Sequence, residues 1–371
     1  CVVSLSQVHT GQITRRYLRI LKYRGSEHGT NSYPFLISDQ GVHLFPVTEL
    51  GMDYQVFKER LSSGIPKLDE MLGGKGFYRA SSILLTGTAG TGKSSVAASF
   101  VDAACQRGES ALYISYEESQ NQIIRNMKSI GFNLETWIDQ EKLTFHTTRV
   151  TTHGLEEHIC LFQKLIERLD PQVVVIDPMS NLLQLGTLEE VKNVLSLMVD
   201  FLKSRGITTL FIDLTSGKGF DESSNTDISS LMDAWLLLRD IENAGERTRG
   251  LYIIKSRGMK HSHQIREFLL SENGIDLVDV YAGPAGLLTG TARYTQETME
   301  DEELRKYLDK IEHKRIELDS KRRLKEAGLE ELKAEFREIE DELAREIQEA
   351  EDIAKSIQKQ KSYRKSLRDG Y

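Results

Sequence analysis

Cysteine is nearly absent from this chain: Cys1, Cys105 and Cys160 are the only three in 371 residues. Three scattered thiols build neither a disulfide framework nor a zinc site, which points to the reducing cytoplasm. Proline is also scarce, at six, and none follows Pro284, so nothing beyond it forces a helix to break. No apolar run approaches the roughly 18–20 residues of a membrane span. Runs such as 173–176 have core-strand length. An excess of positive charge is missing as well. Lys+Arg 48 against Asp+Glu 56 gives −8, which leaves no electrostatic footprint for wrapping nucleic acid. No signal-peptide pattern follows Cys1, and an opening Cys in place of Met reads as the interior of a longer protein.

What is present begins with a repeat. Residues 21–42, LKYRGSEHGTNSYPFLISDQGV, align without a gap to 254–275, IKSRGMKHSHQIREFLLSENGI, at an offset of 233. Lys22, Arg24, Gly25, His28, Phe35, Leu36, Ser38 and Gly41 match Lys255, Arg257, Gly258, His261, Phe268, Leu269, Ser271 and Gly274, eight identities in 22 positions. The second copy ends a unit of about 230 residues, whereas the first lies at the start of the chain. The layout expected is a tandem duplication. Residues 1–50 are the last strands of a first domain, 51–62 a linker, 63–290 a second domain and 291–371 a helical extension.

The second domain opens with chemistry. The apolar strand SILLT at 82–86 runs into Gly87, Thr88, Ala89, Gly90, Thr91, Gly92, Lys93 and Ser94, followed by a helical pattern. This is GxxxxGK[ST] in its required context, strand before and helix after. Its glycines let backbone N–H groups converge on phosphates, and the helix N-terminus adds positive potential. Lys93 is placed to reach the β- and γ-phosphates of ATP, and the Ser94 hydroxyl to ligate Mg²⁺. A metal-side acid is needed too. Asp177 ends the buried run QVVVID, and Asp213 ends a competing strand, FID; strand order favours Asp177. Glu117 and Glu118 follow the strand ALYISY, and strand C-terminal ends face the ligand in an open parallel sheet. Glu117 is the candidate base and Glu118 its partner. The alternative for Glu118 is a cap on the next helix.

The coarse pattern is strand 82–86, helix 92–107, strand 111–116, helix 119–130, strand 142–146, helix 155–169, strand 172–177, helix 187–204 and strand 208–214, then strands 234–239 and 250–256. Such alternation predicts an α/β fold with a mainly parallel sheet, helices on both faces and an antiparallel end.

The stretches SGIPKLDEMLGGKGFYRASSILLTGTAGTGKS, YISYEES, VVVIDPMS, NTDISSLMDAWLLL and IIKSRGMKHSHQIREFLLS, within 63–275, resemble the RecA-like P-loop ATPases. Within these they resemble the KaiC family of circadian-clock proteins. Residues 1–50, with LKYRGSEH and GVHLFP, are similar to the end of that family's first ATPase domain. The resemblance implies an ATPase and serine/threonine autokinase in a homo-hexameric ring, with ATP and Mg²⁺ between protomers. It casts Lys255 and Arg257 as cations reaching the neighbour's γ-phosphate, and Lys22 and Arg24 likewise in the first ring. It puts the phosphoacceptor pair on Ser229 and Ser230, with Ser224 and Thr226 just upstream. The family's best-known pair is Ser then Thr; here both are Ser, and either hydroxyl accepts a phosphoryl group. It also implies a bacterial clock or timer role with a clock-regulator protein as partner.

The family's usual tail is short, and here it is long. Residues 297–371 hold 22 acidic and 18 basic side chains. A 4-3 spacing from Leu304 to Ile357 gives sixteen positions, twelve of them apolar, interrupted by Arg315, Arg322, Lys325 and Glu346. That pattern predicts one long helix with a coiled-coil seam, able to join rings into a dodecamer. Two other functions compete with the autokinase. One is a scaffold assembled by nucleotide. The other is a RecA-like DNA-processing ATPase, against which the acidic balance argues.

Overall fold

Short apolar runs separated by amphipathic stretches can bury both only by forming a sheet between helical layers. The computed structural model describes residues 1–10, 13–38, 41–44, 55–215, 228–243, 245–283 and 286–366. They divide into two units, Cys1–Arg293 and Tyr294–Tyr371.

The first unit opens with four strands, β1 (Val2–Thr10), β2 (Ile13–Lys22), β3 (Ser32–Ser38) and β4 (Gly41–Leu44), in an antiparallel sheet of that order. Next, β5 (Arg60–Leu61) pairs with β6 (Phe77–Tyr78) around helix α1 (Pro66–Met71). Two residues of the expected linker thus pair with the unit that follows. The main sheet then begins. Its elements are β7 (Ser82–Gly87), α2 (Lys93–Gln106), β8 (Ala111–Ser115), α3 (Gln120–Lys128), α4 (Glu135–Asp139), β9 (Leu143–Thr147), α5 (Leu155–Leu169), β10 (Val173–Asp177), α6 (Leu188–Ser204), β11 (Thr208–Leu214), β12 (Ala234–Asn243), β13 (Glu246–Ser256), β14 (Arg266–Ser271) and β15 (Gly274–Asp279). A short hairpin, β16 (Tyr281–Gly283) and β17 (Gly286–Leu288), leads into α7 (Gly290–Ser366).

The nine-stranded sheet has the order β15-β14-β13-β12-β7-β11-β10-β8-β9. From β12 through β9 every pairing is parallel, whereas β13, β14 and β15 are antiparallel. The mainly parallel sheet and its antiparallel end follow the sequence pattern; β14 and β15 extend that end beyond residue 256. Strand residues alternate between two cores. Ile83, Leu85, Val173 and Val175 face α2, with Val96 and Phe100. Leu84, Val174, Ile176 and Phe211 face α5 and α6, with Ile159 and Leu195.

The sequence repeat is also a structural one. Shifted by 233, β12 to β15 fall on β1 to β4. The bulge between Trp235 and Leu236 in β12 recurs between Val2 and Val3 in β1. In both copies the lysine of the KxRG run lies opposite the residue just before the bulge: Trp235 with Lys255, Val2 with Lys22.

Candidate nucleotide site

The glycine-rich turn joins the end of β7 to the start of α2. Gly90 and Gly92 sit at φ +82° and +99°, in the left-handed region that favours glycine. A Cβ on Gly90 would meet nothing within 4 Å, so that face of the turn is open. A Cβ on Gly92 would come within 2.8 Å of the Phe268 ring. The Thr91 hydroxyl donates to the Thr88 carbonyl at 2.9 Å and closes the turn. Lys93 is buried, and its Nζ donates to the carbonyls of Gly87 (2.8 Å) and Thr88 (2.6 Å). Burial pushes its ammonium pKa down, while Asp177, Asp213, Glu117 and Asp240 pull it back up. The cation is therefore held at the turn by carbonyl dipoles and a ring of carboxylates. The Thr88 hydroxyl donates to Asp240 at 3.3 Å.

Ser94 contacts one of the two competing acids. Its Oγ donates to Asp177 Oδ2 at 2.9 Å, and the Tyr113 hydroxyl donates to the same oxygen at 2.6 Å. Burial raises the Asp177 pKa against these two hydrogen bonds and Lys93. Asp213 is the penultimate residue of β11, the strand between β7 and β10, fully buried and in register with Thr86. A hydroxyl and a carboxylate oxygen side by side at an open glycine turn form the hard oxygen set that Mg²⁺ takes. The residues present fit a magnesium nucleotide.

Glu117 and Glu118 lie just past the end of β8 but turn to different neighbours. Glu117 Oε1 accepts from Asn181 Nδ2 at 3.3 Å, in the 3-10 turn that follows β10. Glu118 Oε2 accepts from Asn126 on α3 at 3.3 Å. Capping by Glu118 is replaced by a Ser119 cap on α3, with the Gln122 side chain accepting from the Ser119 N–H at 2.9 Å. Glu117 raises the pKa of Lys93, and Glu118 raises those of Asp177 and Tyr113. Both carboxylates thus belong to the electrostatic surroundings of the turn.

The remaining candidates gather elsewhere. Lys255 Nζ donates to the Ser229 carbonyl at 2.8 Å, and Arg257 donates to the Ser230 carbonyl at 2.6 Å. Asp233 anchors this group. It accepts from the Ser82 N–H at 2.9 Å, its carbonyl accepts from the Arg257 N–H at 2.7 Å, and it pairs with Lys203 at 2.8 Å. Ser82 is the first residue of β7, and the glycine turn follows the last. The sheet register agrees: Ala234 lies opposite Ile83, and Leu238 opposite Gly87. Ser229, Ser230, Lys255 and Arg257 therefore share the end of the sheet opposite their own glycine turn, about 16 Å away along β7. Ser224 and Thr226 lie outside the described residues, as do the last two residues of GVHLFP.

Residues 1–49 and 61–282 match the KaiC ATPase family. This chain is a member of the KaiC family. It is 43% identical over 345 residues to the circadian clock protein KaiC2 of Synechocystis sp., covering 92% of this chain and 61% of that protein. It is 35% identical over 292 residues to the circadian clock oscillator protein KaiC of Synechococcus elongatus, covering 78% and 56%. To KaiC3 of Synechocystis sp. it is 32% identical over 299 residues, covering 80% and 59%. The chain thus spans roughly three-fifths of the length of these relatives. Among the described residues, no helix is long and apolar enough to cross a membrane. Three polar contacts of the site escape sequence reasoning: Tyr113 on Asp177, Asn181 on Glu117 and Asp240 on Thr88.

Proposed function

We propose that this chain works as an ATP-hydrolysing ring protein that phosphorylates itself on Ser230 or Ser229, in a bacterial clock or timer. Bound Mg-ATP supplies the γ-phosphoryl group. Residues 87–94 hold the phosphates, with Lys93 turning from the carbonyls of Gly87 and Thr88 toward them. Ser94 and Asp177 hold Mg²⁺. Glu117 orients water or takes the acceptor hydroxyl's proton, with Glu118 supporting its charge. Lys255 and Arg257 supply positive charge to the far side of a neighbour's nucleotide.

One observation carries this reading: the acceptor serines and the KxR cations sit together at the sheet end remote from their own glycine turn. A chain arranged so cannot phosphorylate itself within one subunit. A head-to-tail ring brings the two ends together, because a heterologous interface sets one face against the opposite face of the next copy. We assign a homo-hexamer, regulated by a clock protein that binds it. Residues 1–50 belong to a first ATPase domain. The shared bulge and register support this, since β1 corresponds to β12, whose outer edge pairs with the glycine-turn strand. The tails join rings through a coiled coil. Cytoplasmic location accords with the three free cysteines, two of them buried.

Intact-mass analysis during incubation with Mg-ATP tests the reading. Phosphate added in 224–230 is expected, and Glu117→Gln should abolish it. A mass that never rises refutes the autokinase. Undiminished ATP turnover in a variant carrying both Glu117→Gln and Glu118→Gln would instead favour a scaffold in which these carboxylates do no chemistry.

A further inference from the structure

The seam of α7 is uncovered. Leu304, Ile311, Leu318, Phe336, Leu343 and Ile357 are each at least half exposed. An apolar stripe of this length needs a partner helix. The distribution of charge along the same helix identifies that partner. Residues 304–325 carry nine basic and four acidic side chains, and residues 336–357 carry three basic and eight acidic. The two blocks are net +5 and −5 and equal in length. A parallel, in-register pair would set each block against its own like. An antiparallel pair sets each against its opposite.

We propose that α7 pairs antiparallel with α7 of a second copy, residue n lying opposite residue 661 − n. This rests on the coiled-coil reading above and adds its polarity and register. The charge blocks set the register, because at this sum 304–325 lies residue for residue opposite 336–357. At this sum Arg315 faces Glu346, so two of the charges that interrupt the apolar stripe meet each other, twice per pair. Neither residue takes part in the ion pairs within α7, which instead join Lys321 to Glu317, Arg322 to Glu326, Arg323 to Asp319, Lys333 to Glu330, and Lys355 to Glu351 and Asp352. Leu304 then faces Ile357, Leu318 faces Leu343, and Leu329 faces Leu332. A slip of one heptad, to a sum of 654, sets Arg315 against Ile339 and Glu346 against Leu308, each charge on an apolar side chain. Lys325 meets Phe336, against which its aliphatic stem packs while the ammonium reaches water. Arg322 meets Ile339 and keeps its own Glu326 at 2.9 Å.

The polarity has a consequence for assembly. The 54 residues from 304 to 357 extend about 80 Å at 1.5 Å per residue, so residue 304 of one copy lies that far from residue 304 of the other. The first units of two copies paired in this way are attached at opposite ends of the coiled coil.

Cysteine cross-linking of the full chain reads polarity and register without any nucleotide turnover, so a failure of the autokinase reading leaves this test intact. On a Cys1→Ser background, Leu318→Cys and Leu343→Cys are each made alone and also co-expressed. The co-expressed chains should give a disulfide-linked dimer on oxidation, and each single variant should stay monomeric on a denaturing gel. Dimers in the single variants would show parallel pairing and overturn the proposal, as would no dimer in the co-expressed sample. A charge swap adds a second readout by light scattering. Arg315→Glu should lose the two-ring assembly, and adding Glu346→Arg should restore it. Equal assembly mass in Arg315→Glu and the unaltered chain would overturn the register.

Discussion

At the residue scale, the site depends on charges held where water is scarce. Burial lowers the Lys93 pKa, and the carboxylates around it oppose that shift. Replacing it with alanine removes the one cation inside the turn, and ATP turnover should fall by two orders of magnitude or more, as read by phosphate release. Arg257→Ala should cost about 10³-fold in turnover while leaving nucleotide affinity much less changed, because its charge acts late in phosphoryl transfer. Away from the turn, burial lowers the pKa of His158 and His146 below the ordinary 6.5. His158 Nε2 lies 2.8 Å from the Val150 carbonyl, the geometry of a neutral ring donating its N–H. In the unfolded chain these rings gain protons sooner. Stability is therefore full above about pH 6.5 and falls as pH drops from there through the lowered native values. Urea midpoints taken at about pH 7.5 and 5.5 should show the loss, and His158→Gln should shrink it. The glycine turn and Asp177 were legible because their spacing is local. Tyr113, Asn181 and Asp240 were not, because a tyrosine in an apolar strand or a polar residue in a turn becomes a site residue only by tertiary placement.

At the scale of elements, strand–helix alternation was enough to lay out the parallel sheet. The antiparallel extension was harder to read. In each of β14 and β15 only two of six residues are buried, and the two strands carry Arg266, Glu267, Asp276 and Asp279. The repeat was the available signal, and β3 and β4 carry the same strands. One element contact had no sequence signal at all. Arg15 of β2 is buried against α5 and α6, where it pairs with Glu190 at 2.5 Å and Glu156 at 3.8 Å and donates to the Leu185 carbonyl. Burial pushes the Glu156 pKa up, with Arg15 opposing. Arg15→Ala strips that cation from a buried carboxylate and should destabilise the fold by about 3 kcal/mol, read from the urea midpoint. Glu190 also belongs to the capping box of α6, accepting from the Thr187 N–H at 2.8 Å, so the same variant should loosen the start of α6 in hydrogen exchange.

At the scale of the whole molecule, the central claim is that one chain holds two halves of a site it cannot close by itself. The glycine turn, Ser94 and Asp177 lie at one end of β7, and Ser229, Ser230, Lys255 and Arg257 lie at the other. Complementation tests this most directly. Lys93→Ala chains keep intact cations, and chains carrying Lys255→Ala with Arg257→Ala keep an intact turn. Each alone should be inactive. Mixed in equal amounts under conditions that let subunits exchange, about a quarter of the interfaces in a head-to-tail ring join an intact turn to intact cations. Phosphate release should therefore recover to about a quarter of the unaltered rate. A mixture as inactive as its two components would contradict a site shared between neighbours.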